Sequence, residues 1–252
     1  MSTLEGFDWF KPEDLPVLFK ALRQVNPPAI LVGGQSLTFW VDFFELPIPR
    51  TDTPYLTQDA DILGTKLDAQ MIAKHLNRGK ATTPQADDHT PSTGLITYYA
   101  EGRRLLIDVM GMLCGLDNDQ IKETAITLNI AQYGDVSILH PRLVLISRIS
   151  NLKILQSKRD KNGITQAKLA VDMYKAFIIW YRSQLNSDTE YQAFLLSKAE
   201  ELKEIALSDA SVYVYRHYGI NILDSFPIEL VKSQKFLEIQ WTNINKWFLQ
   251  KS

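Results

Sequence analysis

The chain has 252 residues, 45% of them hydrophobic and 22% charged, which is the composition of a soluble globular protein with one large or two modest domains. No apolar run approaches the ~18 residues that span a membrane, and the N-terminus lacks a basic-then-apolar signal pattern. The single cysteine, Cys114, excludes an internal disulfide, so we predict a reducing, cytoplasmic location.

Charge is distributed unevenly along the chain, although its net value is only −2. Residues 1–140 contain 11 Lys/Arg and 18 Asp/Glu, a net charge of −7, whereas residues 141–252 contain 16 and 11, a net charge of +5. An acidic half suits a cation site, and a basic half suits an anionic partner such as RNA. The alternative is uneven surface charge that serves no partner.

Apolar spacing and turn residues predict alternating helices and strands in the first part of the chain. The predicted helices cover residues 12–25, 35–46, 67–78 and 117–128. The predicted strands cover 29–32, 57–64, 95–101, 103–112 and 136–140, and the third and fourth of them form a hairpin. Residues 46–56 and 80–94 are predicted loops.

From Pro141 onward the pattern is purely helical. Long helices are predicted over 142–155, 165–185, 190–218 and 227–249, the third with a break near Ser208-Asp209. The sequence therefore predicts an α/β (α+β) domain with a mixed sheet over residues 1–140. A helical C-terminal domain follows over residues 141–252.

A glycine turn joins the first predicted strand to an apolar helix. Gly33 and Gly34 leave backbone N–H groups free at the helix start, and these groups and the helix dipole favour an anion such as phosphate. Glycine also lets a ligand approach the backbone closely, and Ser36 can add a hydroxyl. The alternative is an ordinary strand-to-helix turn, many of which contain two glycines.

Two carboxylates follow on the next predicted strand. Asp59 and Asp61 have i, i+2 spacing, so they share one strand face about 7 Å apart, while Ala60 and Ile62 point into the core. Such a pair repels unless a cation lies between them, and oxygen ligands suit Mg²⁺. The alternative is a solvated pair at a strand end.

A third carboxylate, Asp108, lies within the apolar strand 103–112. A lone buried acid is costly without a partner. If this strand lies beside strand 57–64, Asp108 completes a three-carboxylate cluster. The alternative is a salt bridge to Arg103 or Arg104.

Together, Gly-Gly-x-Ser after a strand, Asp-x-Asp on the next strand and a single Asp on a later strand resemble the nucleotidyltransferase superfamily, with its polymerase-beta-like fold. The resemblance covers residues 29–112. The Gly-Gly-x-x-Leu segment and Thr-x-Asp-x-Asp-Ile-Leu look most like the bacterial abortive-infection nucleotidyltransferase toxins.

The resemblance implies a role for each motif. Gly33, Gly34 and Ser36 would hold the phosphates of a nucleoside triphosphate. The carboxylates Asp59, Asp61 and Asp108 would bind two Mg²⁺ or Mn²⁺ ions, and Asp108 would help to deprotonate the attacking hydroxyl. The nucleoside monophosphate would pass to a hydroxyl of RNA, protein or a small molecule, with pyrophosphate leaving.

A lysine in the helical part contacts the triphosphate in the toxin-like members. Lys153 is our first choice for this role and Lys158 the second, although most helical lysines are simply solvated.

The chain departs from the family pattern in one place. Gly34 and Asp59 lie 25 positions apart, and the surplus is mostly residues 46–56, where Arg50 is a candidate phosphate contact. The alternative function is a non-catalytic module on the same fold that binds nucleotide or another protein.

Overall fold

The computed structural model describes residues 6–26, 29–48, 57–85, 90–130 and 134–251. It shows an α/β protein with one mixed sheet, as the sequence predicts. The Cα positions separate two compact units. The first holds the described residues of Met1–Phe39 and Thr51–Val144, and the second those of Trp40–Arg50 and Leu145–Ser252. The predicted division into residues 1–140 and 141–252 stays a prediction, and the units differ from it mainly in residues 40–50.

The sheet belongs to the first unit, and its described strands follow the order β3-β4-β5-β2-β1-β7-β6. Strand β1 pairs antiparallel with β2 and parallel with β7, β2 pairs parallel with β5, and the β4–β5 hairpin is antiparallel. The strands are β1 (Ile30–Val32), β2 (Asp59–Leu63), β3 (Lys80–Thr82), β4 (Ser92–Ala100), β5 (Arg103–Met110), β6 (Ile126–Ile130) and β7 (Gly134–Ile138).

Four helices accompany the sheet in the described sequence up to residue 130: α1 (Leu15–Leu22), α2 (Gly33–Phe43), α3 (Lys66–Lys74) and α4 (Asn118–Thr124). Helix α3 packs on β3, β4 and β5. Its start is fixed by a capping box in which the hydroxyl of Thr65 accepts from the Asp68 N–H and the Asp68 carboxylate accepts from the Thr65 N–H.

Alternation along β2 decides which residues enter the core. Ala60 and Ile62 are fully buried, whereas Asp59 and Asp61 are only partly buried. This two-residue period is what a strand with one covered face requires. The prediction that Ala60 and Ile62 point into the core is therefore confirmed, and the two carboxylates occupy the opposite face.

The second unit is built from helices. Besides the end of α2 and the part of α5 (Pro141–Ile154) from Leu145 onward, they are α6 (Lys161–Trp180), α7 (Asp188–Ala206), α8 (Asp209–Tyr218), a π-helix (Phe236–Trp241) and α9 (Thr242–Lys251). The predicted break near Ser208-Asp209 is confirmed, because the Ser208 hydroxyl accepts from the Ser211 N–H and so caps α8. Among the described helices, none combines the length and the apolarity needed to cross a bilayer.

Several element predictions are wrong. Residues 80–82 form strand β3 instead of a loop, and β4 begins at Ser92, inside the region predicted as a loop. The predicted helix 117–128 ends at Thr124, and β6 follows it. The long helix predicted from residue 227 is instead a short 3-10 turn, the π-helix and α9.

Candidate active site

The pairing of β2 with β5 brings the three predicted carboxylates together on neighbouring strands. Asp61 lies directly opposite Asp108 in the parallel register, and Asp59 lies opposite Leu106, one pleat away. Cross-strand partners point to the same face of a sheet, so Asp59, Asp61 and Asp108 share one face. The expectation that strand β5 lies beside strand β2 is confirmed.

Asp108 lies in an unfavourable setting for a negative charge. Burial raises the pKa of Asp108; a hydrogen bond from the Ser92 side chain lowers it, and the charge of Asp59 raises it. Its Oδ1 atom is buried without a hydrogen-bond partner from the described residues. A buried carboxylate oxygen without a donor is costly unless a proton or a cation is present.

The alternative of a salt bridge to a neighbouring arginine is not what the structure shows. Both terminal nitrogens of Arg103 donate to Asp14, at 2.9 and 2.5 Å. The guanidinium of Arg104 lies over the ring of Phe7, 4.4 Å from its centroid. Asp108 forms no salt bridge with another described residue.

The two glycines allow the start of α2 to lie against β2. Gly33 has a φ of +64°, and a Cβ atom placed there would lie 1.8 Å from Oδ2 of Asp61. A Cβ on Gly34 would lie 2.0 Å from Cγ2 of Thr57. The space that a side chain would fill is therefore taken by residues of the β2 segment, and the Asp61 carboxylate lies at the first turn of α2.

Hydrogen bonds hold the same junction together. The Gln35 side chain donates to Oγ1 of Thr57 at 2.8 Å, and Thr57 donates to the carbonyl of Asp59 at 2.7 Å. Ser36 is fully buried, and its hydroxyl donates to the Gly33 carbonyl at 2.8 Å. The phosphate-holding roles of Gly33, Gly34 and Ser36 stay predictions.

A cleft of about 480 Å³ opens where β2 and β5 end. Ser92 lines it, and the Ser92 side chain is close enough to Asp108 to lower its pKa, so the cleft lies near Asp108, although Asp108 is not among the lining residues. The hydroxyl of Thr93, another lining residue, donates to the carbonyls of Gly64 and Val109, both at 2.9 Å. The lining residues are Gly64, Thr65, Lys66, Thr83, Pro84, Gln85, Ser92, Thr93 and Gly111.

Sequence reasoning missed Ser92 and Thr93 because they lie in the region predicted as a loop. Thr90-Pro91-Ser92-Thr93-Gly94 carries hydroxyls just before an apolar strand. That pattern was the one available signal, and it is a weak one.

The donor atoms suit a hard divalent cation, because all three side chains offer carboxylate oxygens and Asp108 has an oxygen without a donor. In the conformations described, however, no group of three or more His, Cys, Asp or Glu side chains is placed to hold a metal ion. The site thus has suitable ligand chemistry without assembled coordination geometry.

The predicted triphosphate lysine, Lys153, lies on α5 in the second unit. Its Nζ is 3.5 Å from a carboxylate oxygen of Asp209, and its side chain is 37% exposed. Lys158 is exposed in the 3-10 turn after α5. Their contact with a triphosphate stays a prediction, and Arg50 lies outside the described residues.

Comparison with known proteins adds no assignment: no protein-family model matches the chain, and no curated protein matches it.

Proposed function

We propose that this protein is a divalent-metal-dependent nucleotidyltransferase that transfers a nucleoside monophosphate from a nucleoside triphosphate to a hydroxyl. One observation carries the proposal: the β2–β5 register puts Asp61 opposite Asp108, with Asp59 on the same face. Three carboxylates crowd one sheet face, and Asp108 has a raised pKa. A cation bound between such clustered carboxylates would offset their mutual repulsion.

Each carboxylate has a role in the proposal. Asp59 and Asp61 hold and orient divalent cations. A cation pair bound by such carboxylates supplies positive charge to the entering and leaving oxygens of an in-line displacement. Asp108 accepts the proton of the attacking hydroxyl.

The cleft beside Ser92 provides room for a substrate group next to Asp108. Its wall carries the hydroxyl of Ser92 and the ammonium of Lys66. These groups can hydrogen-bond a polar acceptor and attract a phosphate. We assign the acceptor to this cleft, whether it is an RNA end, a protein side chain or a small molecule.

The test is transfer of label from each α-labelled nucleoside triphosphate, with Mg²⁺ or Mn²⁺ and cell lysate as the source of acceptor. Asp59→Asn, Asp61→Asn and Asp108→Asn should each lower transfer by about 10²-fold or more, the scale of removing one electrostatic element of an active site. Asp119→Asn is the matched control, since the Asp119 side chain is 85% exposed and should leave the rate unchanged. Relative to lysate without the protein, γ-labelled triphosphate should yield additional labelled pyrophosphate and no additional labelled acceptor.

Absence of transfer from all four triphosphates would reject the enzymatic proposal, as would full activity in the three Asn variants. If transfer is found, expression in bacteria tests the resemblance to the abortive-infection toxins. Growth arrest that Asp61→Asn abolishes would support that part of the proposal.

The second candidate is a non-catalytic module that binds nucleotide or protein. It is favoured by the absence of an assembled group of three metal ligands among the described residues and by the close packing of Asp61 on Gly33. Calorimetry separates the two candidates: nucleotide binding without turnover, unaffected by Asp108→Asn, supports the module.

A further inference from the structure

The helical unit contains a second cleft, of about 360 Å³, unrelated to the carboxylate site. It is bordered by the segment after α8, by α6 and by the start of α9. Trp241 and Phe226 provide its aromatic wall, and Asn221, Asp224 and Asn245 provide polar groups. Aromatic rings beside carboxylate and amide groups suit a ligand with a polar charged head.

The aromatic residues of the cleft wall pack against one another and against Phe236. Phe226 is 2% exposed, and its ring lies 4.9 Å from that of Trp241, with an angle of 32° between the planes. Phe236 is also buried and lies 6.3 Å from Trp241. Trp241 is itself only half-buried, so part of the indole faces the cleft while the rest is packed.

An irregular helix positions Trp241. The residue ends the π-helix Phe236–Trp241, a rare conformation that is frequently found at functional sites. The Thr242 hydroxyl donates to the Leu237 carbonyl at 3.2 Å, five residues back, and the Asn245 side chain donates to the Trp241 carbonyl at 2.8 Å. A regular α-helix here would rotate the indole to a different direction.

The charges around the cleft are mainly negative. Lys175 pairs with Glu229 at 3.0 Å, which leaves Asp224 with an amide donor, Asn221, at 2.8 Å. Asp224 forms no ion pair with a described residue. Asp172 lies near Asp224: although Asp172 is exposed, loss of part of its hydration raises its pKa most, Asp224 raises it further, and Lys175 lowers it. An additional cation would relieve this repulsion.

We propose that this cleft binds an organic cation, a guanidinium or a primary ammonium, between the Trp241 ring and the Asp224 carboxylate. The ring attracts a cation through its π face, and the carboxylate accepts charge-assisted hydrogen bonds from it. Asn245 offers a further side-chain carbonyl oxygen to a donor-rich head group, whereas that of Asn221 already accepts from the Leu223 N–H at 3.1 Å. The proposal does not depend on nucleotidyl transfer, since every residue concerned belongs to the helical unit.

A metal ion and an anion fit the cleft less well. The described acids form no group of three placed to hold a metal, and an aromatic wall offers a metal nothing. An anion would meet Asp224 and Glu229, while the lysine in the cleft already has a carboxylate partner.

Calorimetric titration of the full chain tests the proposal with two cations. Agmatine represents a small molecule, and acetyl-Gly-Arg-Gly-amide represents the side chain of a protein partner. Acetyl-Gly-citrulline-Gly-amide is the neutral control of the same shape. We expect at least one cation to bind and the citrulline peptide not to bind. The tighter of the two cations identifies the source of the ligand.

Matched variants locate the binding. Asp224→Asn keeps the shape and should weaken the cation about tenfold, the effect of losing one charged hydrogen-bond partner. Trp241→Leu should weaken it about threefold, the value of an exposed cation–π contact. Glu200→Gln, an exposed acid on α7, should leave binding unchanged.

Circular dichroism establishes that each variant is folded. The proposal is overturned if neither cation binds, if the citrulline peptide binds as tightly as the arginine peptide, or if folded Asp224→Asn binds like the original chain.

Discussion

Asp14, which is buried, and Asp108, which is half-buried, show opposite ways of accommodating a carboxylate in the sheet unit. Asp14 is 2% exposed and accepts three hydrogen bonds, from the Lys11 N–H at 2.8 Å and from both terminal nitrogens of Arg103. Asp108 has a contact from Ser92, a repulsive neighbour in Asp59 and an oxygen without a described donor.

The difference in hydrogen-bond partners indicates that Asp14 and Asp108 have different roles. Asp14 joins the start of α1 to β5, residues 89 positions apart, and its charge is balanced within the fold. Hydrogen bonding to Asp14 raises the pKa of Arg103, so the guanidinium keeps its proton under all ordinary conditions. Among the described residues Asp108 has no ion-pair partner, so its charge is not balanced in the way that the charge of Asp14 is.

Breaking the balanced pair should have the largest effect. Arg103→Met leaves the Asp14 carboxylate buried without its cation, so the free energy of unfolding should fall by about 3–5 kcal/mol. Urea denaturation followed by circular dichroism measures the change. Arg104→Met is the control, because that arginine lies over Phe7 and should cost about 1 kcal/mol or less. Equal losses in the two variants would contradict the structural role given to Asp14.

Gly33→Ala tests how closely Asp61 approaches α2. The positive φ alone costs about 1–2 kcal/mol, and the new Cβ would overlap Oδ2 of Asp61 in addition. Gly102→Ala separates the two contributions, because Gly102 also has a positive φ, +77°, but nothing within 4 Å of its Cβ position. The unfolding free energy should fall further in Gly33→Ala than in Gly102→Ala. Equal losses would mean that Asp61 does not occupy this position.

A divalent cation should stabilise the fold by binding at the carboxylate site. Mg²⁺ at about five times its dissociation constant should stabilise the fold by about 1 kcal/mol. A thermal melt with Mg²⁺ and with chelator should therefore differ by about 2–4 °C. Asp108→Asn should abolish most of this difference, while the exposed-site control Asp119→Asn should retain it. An Mg²⁺ shift that survives in Asp108→Asn would place the cation elsewhere.

The smallest expected effect is on how the stability of the metal-free protein depends on pH. Burial raises the pKa of Asp108, so ionising this group opposes folding. The cost is absent below the ordinary pKa of 3.8, where the carboxyl is protonated in both states. It develops as pH rises and is complete above the raised pKa. Asp108→Asn should therefore raise the melting temperature near pH 7 and leave it unchanged near pH 3, whereas Asp14→Asn should lower it near pH 7.

Much of the site could be predicted because it depends on local patterns. The i, i+2 spacing of Asp59 and Asp61 between buried Ala60 and Ile62 requires nothing beyond strand periodicity. The lone Asp108 in an apolar strand was equally visible. That β5 lies beside β2 was a conditional expectation, and the register confirms it.

The remainder depends on partners that are distant in sequence. Nothing near Asp14 or Arg103 shows that they pair. Strand β3 is an edge strand whose residues are exposed or half-buried, so it has no apolar signature. Strand β6 does alternate, with Ile126, Leu128 and Ile130 on its more buried side, but these residues also continue the apolar pattern of the preceding helix.

The contacts between Gly34, Gln35 and Thr57 have a consequence for how this chain can vary. They join the first turn of α2 to Thr57, just before β2, across 22 positions of sequence. The entropy of closing a flexible loop grows only with the logarithm of its length, so doubling the length costs only about 0.6 kcal/mol. A change of chain length between these two ends should therefore leave the carboxylates in place as long as the Gln35–Thr57 hydrogen bond is kept.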